Sequence, residues 1–197
     1  MAAELLIKVR EEPYYRKSTM DVFIRILIIL CTTISVVLSS ISVCDGHWLL
    51  VDGKVIGLWY FCTLKENHKS EYTTDFCAAE VDGLYIGFIF IRIMVTFAVV
   101  LAMFGLEMLV VSQVYQDVYS TRRWAFGSFL VVLAFFMTSA GVLSFVIHLR
   151  NFLTFTGFSL TFWCEFIATF LFFLNGMSGL HIHSMTFSVN TKFTQFA

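Results

Sequence analysis

Four uninterrupted apolar runs, Val22–Val43, Leu84–Val111, Trp124–Ile147 and Phe152–Leu180, constrain this chain more than any other feature. A hydrocarbon core of about 30 Å is crossed by about 20 mostly apolar residues rising about 1.5 Å each, and every run is long enough. The residues are 58% hydrophobic and 14% charged, against about 45–50% and about 25% in soluble domains. Folded in water, such a chain would leave broad apolar patches exposed, so its solvent is lipid. Strands of a membrane barrel would alternate over short segments, and these runs do not. The expected fold class is therefore an all-α membrane protein, a bundle of four transmembrane helices. A net charge of −1 leaves no basic surplus for a phosphate backbone, so no nucleic-acid partner is expected. With one proline and 11 glycines there is little linker material. We divide the chain into an N-terminal segment 1–21, a membrane domain 22–183 and a tail 184–197.

The first run exceeds the length of a signal-peptide core and follows a polar head, so it is read as a retained helix despite Ser40 and Ser42 near its end. Orientation follows the basic residues of the flanks. Lys8, Arg10, Arg16 and Lys17, then Arg122 and Arg123, then Lys192 share one side and outnumber Lys54, Lys65, Lys69 and Arg150 on the other. Both termini are expected in the cytoplasm of a multi-pass plasma-membrane protein, with the long loop 44–83 outside.

That loop is expected to be ordered. Trp48–Val51 and Val55–Cys62 are β-prone runs separated by Asp52-Gly53-Lys54, a hairpin signal because glycine takes positive φ cheaply. A small antiparallel sheet should rest on the outer ends of the helices. Cys62 and Cys77 both lie in the loop, where an oxidising exterior favours a disulfide worth about 3 kcal/mol for a closed segment of about 15 residues. Cys44, at the membrane edge, competes for the pairing. Cys31 and Cys164 lie within apolar runs and read as small hydrophobes.

The order Trp48, Gly57-Leu58-Trp59, Cys62 and Cys77 after a first helix resembles the signature of the superfamily that joins claudins, peripheral-myelin-type proteins and calcium-channel gamma subunits. More narrowly, Cys44-Asp45-Gly46-His47-Trp48, Phe104-Gly105-Leu106-Glu107, Phe162-Trp163-Cys164-Glu165-Phe166 and Leu180-His181-Ile182-His183 resemble the gamma-like subunits of voltage-dependent calcium channels. The chain departs from claudins in its longer Cys62–Cys77 spacing and its very short second outer loop, the place of the claudin strand that meets a facing cell. It has no Asn-x-Ser/Thr in the long loop. Its ending, Thr194-Gln195-Phe196-Ala197, is not the PDZ-binding end of the glutamate-receptor regulatory branch. The resemblance implies a claudin-like fold and an auxiliary subunit that binds the pore-forming alpha-1 subunit of a voltage-gated calcium channel within the lipid. It further implies a bias toward inactivated or closed states that lowers calcium current. The alternatives are a claudin-like junction or adhesion protein and a channel trafficking chaperone.

Four charges fall within the apolar runs, where each costs about 2.5–3.5 kcal/mol at mid-helix unless partnered. Arg92 is eight residues past Leu84 and Glu165 nine past Thr156, placing both about 12–14 Å below the outer ends and suggesting an interhelical pair. Arg25 and Glu107 fall together near the cytoplasmic end, although Arg25 can also snorkel to the headgroups. Such pairs either hold the bundle together or turn one charge toward a partner. Gly83 and Gly87 have the spacing of a close helix approach.

Catalytic chemistry has no signal. There is no G-x-x-x-x-G-K-S/T, H-E-x-x-H, G-x-S-x-G or C-x-x-C. His181 and His183 point about 200° apart on a helix, unsuited to sharing a metal. We expect no enzyme activity, cofactor, metal or small-molecule substrate.

Overall fold

The computed structural model describes residues 19–45, 47–51, 54–59, 61–66, 72–78, 85–115, 119–149 and 157–195. In chain order these form α1 (Thr19–Asp45), β1 (His47–Val51), β2 (Lys54–Gly57), β3 (Phe61–Glu66), β4 (Tyr72–Ala78), α2 (Tyr85–Val114), α3 (Ser120–His148) and α4 (Leu160–Gln195). All four helices are long and apolar enough to cross a membrane, over Asp21–Asp45, Gly87–Val114, Ser120–His148 and Leu160–Met185. The architecture is a claudin-like four-helix bundle with a small antiparallel sheet.

The helices form a ring in which α1 and α3 each pack on both α2 and α4. Lipid does not drive helices together by the hydrophobic effect, so close van der Waals packing must do so. The α2–α3 seam shows how. Ala98, Ala102 and Gly105 follow one face of α2, opposite Gly127, Val131 and Ala134 of α3, and all are buried. A Cβ added to Gly127 would stand 2.8 Å from the carbonyl oxygen of Gly105, so the two backbones touch where neither residue has a side chain. Large apolar side chains such as Leu30, Ile93, Phe136 and Phe170 point outward instead, into the lipid.

The four strands form a meander in the order β1-β2-β3-β4, antiparallel throughout. Val51 pairs with Lys54, so β1 and β2 are paired on either side of the Asp52-Gly53 step, which itself lies outside the described residues. The run Val55–Cys62 is not one strand, however. It breaks after Gly57, and β3 turns back to pair Val55 with Cys62. Strand β4, for which the sequence carried no marked signal, places Cys77 opposite Cys62 in register. One sheet face is sealed onto the helix ends: Trp48, Leu49, Ile56 and Leu58 form a cluster with Phe88, Ile91, Phe145 and Phe162.

The fourth helix departs from expectation at both ends. It starts at Leu160 and continues to Gln195, so the segment read as a tail from 184 is helical through that residue. Of the residues before it, Phe158 bridges to Leu49 of β1. Ser159 accepts a hydrogen bond from the N–H of Phe162 at 3.5 Å, the geometry of a helix N-cap. Its own N–H donates to the Trp48 carbonyl at 3.0 Å, and the hydroxyls of Ser159 and Thr161 both donate to the carbonyl of His47. Phe158, Ser159 and Thr161 thus tie the start of α4 to β1.

Candidate functional site

The last carbonyls of a helix have no partner within it. At the end of α1, the tryptophans of the signature supply donors. Trp48 Nε1 donates to the carbonyl of Ser42 at 3.2 Å and Trp59 Nε1 to that of Val43 at 2.7 Å. Arg92 of α2 closes the arrangement from the other side. Its Nε donates to the Leu58 carbonyl and its Nη2 to the Trp59 carbonyl at 3.4 Å, while the guanidinium lies 5.6 Å from the centre of the Trp59 ring. After Gly57 the chain bends, and the Leu58 and Trp59 carbonyls, outside the strand ladder, are taken by this cation. The signature is a clamp between α1, the sheet and α2. Cys62 is buried and disulfide-bonded, whereas Cys31, Cys44 and Cys164 are free.

This geometry corrects the expected Arg92–Glu165 pair. The two residues match in sequence depth but sit on α2 and α4, helices separated around the ring by α1 and α3. Glu165 turns to α1, where it is fully buried and accepts a hydrogen bond from Ser39 Oγ at 2.9 Å. It belongs to a polar seam, since Thr32, Ser35, Ser39 and Ser42 are all buried at helical spacing on α1. Thr32 and Ser35 return their hydroxyls to the carbonyls one turn back, at 2.7 Å each, so these two are hydrogen-bonded as buried polar groups require, whereas Glu165 Oε2 is buried without a hydrogen-bond partner.

Arg25 and Glu107 are not brought together either. Arg25 is buried, with its guanidinium 4.6 Å from the centre of the Trp124 ring. That indole is fixed in turn, donating to the Gly179 carbonyl at 3.0 Å. An aromatic face stabilises a desolvated guanidinium by cation–π attraction.

Glu107 is exposed, and its surroundings distinguish it from the other three. It lies in a groove of about 560 Å³ on the outside of α1 and α2, lined by Val36, Val100, Met103, Phe104, Leu106, Val110 and Val111. An acid in an otherwise apolar groove is costly against lipid chains and favourable against a transmembrane surface that brings a hydrogen-bond donor or positive charge. Its lining is one carboxylate among aliphatic, aromatic and methionine side chains. Glu107 was legible in the sequence as a charge within a span. Its apolar neighbours were not, because every face of α2 is apolar and periodicity does not separate a groove from lipid contact. Of the Gly83–Gly87 spacing, Gly83 lies outside the described residues, and Gly87 faces the imidazole of His148.

Comparison with known proteins agrees with this architecture. The model of the voltage-dependent calcium channel gamma-like subunit protein family matches residues 4–187. A human protein named voltage-dependent calcium channel gamma-like subunit is 50% identical over 171 residues, covering 87% of this chain and 89% of its own length. The match takes in all four membrane spans, the tryptophan clamp and the groove, and the chain belongs to the voltage-dependent calcium channel gamma-like subunit family.

Proposed function

We propose that this protein is an auxiliary subunit of a voltage-gated calcium channel. In this reading it binds the pore-forming alpha-1 subunit laterally in the plasma membrane, with both of its own termini in the cytoplasm. It favours the inactivated or closed channel and so lowers calcium current. The observation that carries the reading is family membership across the whole membrane domain, and the groove at Glu107 gives it a place for contact. A subunit shifts gating only by binding one channel conformation more tightly than another, and a differential of about 1.4 kcal/mol shifts that equilibrium about tenfold. A few side chains packed against a voltage-sensing or pore helix supply that much.

The test is whole-cell recording from cells that express an L-type or T-type pore subunit with or without this protein, with surface channel quantified in parallel. Reduced current at unchanged surface channel supports the reading. Reduced current matched by lost surface channel makes the protein a trafficking chaperone. No change in either, with the protein enriched at cell–cell borders, moves it to the junction proteins that share its superfamily signature.

A further inference from the structure

Of the four charges that the sequence sets within the apolar runs, three are engaged within the protein. Arg92 donates to two carbonyls, Glu165 accepts from Ser39, and Arg25 lies over Trp124 and within the field of Asp21. Glu107 differs: among the described residues it makes no hydrogen bond or ion pair. The groove around it has the form of a helix seat. Helices α1 and α2 pack on each other far less closely than α2 and α3 do, so a trough opens between them on the lipid side. On α2 its wall is Val100, Met103, Phe104, Glu107 and Val110, which recur at helical spacing and hold one face for about 15 Å. Val36 of α1 forms the other side. The ridge of side chains on one further helix fits such a trough, anchored at positions three and four residues apart.

Charge decides what the occupant must carry. Glu107 stands seven residues before Val114, where the span ends, and so about 10 Å inside the membrane edge. Phospholipids hold their charges in the headgroup region, and their acyl chains offer none at that depth. An arginine or lysine on a neighbouring transmembrane helix does reach it, and charges within a membrane pair with one another. A second copy of this chain does not supply one. Arg25 is buried, and Arg92 is bound about 22 Å further along α2. Arg122 and Arg123 stand in the first turn of α3, and the span Leu160–Met185 contains neither arginine nor lysine. We propose that the groove seats a transmembrane helix of another protein that carries an arginine or lysine at the depth of Glu107, and that this ion pair selects the partner. That the helix belongs to the pore-forming subunit rests on the channel reading; its basic side chain follows from the groove.

The test places the full-length protein, labelled with a donor fluorophore, in phosphatidylcholine vesicles with acceptor-labelled polyleucine helices of about 24 residues. One helix is all leucine, one carries an arginine about seven residues from an end, and one carries a glutamate there. Energy transfer reads occupancy. The arginine helix should bind saturably and about tenfold more tightly than the all-leucine helix, the scale of a polar contact between helices in lipid. Glu107→Gln should remove that preference. Val110→Trp, which fills the groove and keeps the acid, should weaken binding of the arginine helix. Glu107→Arg should reverse the preference toward the glutamate helix, which a variant that merely disturbed folding could not do. Equal binding of the arginine and leucine helices, or an unchanged preference in Glu107→Gln, overturns the proposal. Glu107-dependent energy transfer between two labelled copies of the protein overturns it in favour of a self-interface. Displacement of the arginine helix by equimolar sphingosine overturns it in favour of a lipid amine. No channel is present in the vesicles, so failure here is distinct from failure of the channel reading.

Discussion

Arg92 and Glu165 show how an ionisable side chain is held at membrane depth without an opposite charge. Arg92 spends its donors on two carbonyls that a turn leaves open, and Glu165 accepts from a serine across a helix interface. A hydrogen bond from the Arg92 guanidinium is charge-assisted, worth about 1.5–3 kcal/mol. Arg92→Met should therefore lower the free energy of unfolding in detergent by about that amount, read as a fall in thermal midpoint. The charge swap Arg92→Glu with Glu165→Arg should not restore the surface expression that each reversal loses. Recovery in the double variant would mean that the residues pair after all. The depth of each charge was legible in the sequence because it needs only a count along the helix. Its direction around the helix was not, since all faces of α2 and α4 are apolar and no amphipathic stripe identifies the inward side.

Among the elements, the four helices and the first hairpin were legible because length, apolar content and an Asp-Gly step decide them locally. Two boundaries were not. The residues before Leu160 include Phe152, Leu153, Phe155 and Phe158, as apolar as the helix that follows, so hydropathy merges them with it. The helix starts at Leu160, just after the bridge from Phe158 to Leu49 and the cap at Ser159. Likewise the carbonyls after the break at Gly57 are bound by Arg92, distant in sequence. At the α2–α3 seam, Gly127→Val places bulk against the Gly105 carbonyl and should destabilise the bundle by about 1–3 kcal/mol, seen as a lower melting midpoint. In the sheet, we expect Cys62 to be joined to Cys77, its partner in register. Peptide mapping without reduction should recover that cross-link, and Cys62→Ser with Cys77→Ser should cost about 3 kcal/mol. A cross-link from Cys62 to Cys44 would overturn the assignment.

At the scale of the whole molecule, the clamp and the groove divide the labour. The tryptophans, Arg92 and the sheet fix how α1 and α2 emerge from the membrane, and further along the same two helices leave the groove open to lipid with Glu107 in it. A partner helix bound there would sense the fixed geometry above it. Glu107→Leu removes the one polar group from an apolar groove and should leave folding intact while reducing the effect on a co-expressed channel. The most direct measurement is the midpoint of steady-state inactivation of an L-type pore subunit, recorded with and without this protein at matched surface density. The account predicts a shift to more negative voltages, diminished by Glu107→Leu. An unchanged midpoint, at verified co-expression and equal surface density across both L-type and T-type pores, would contradict it.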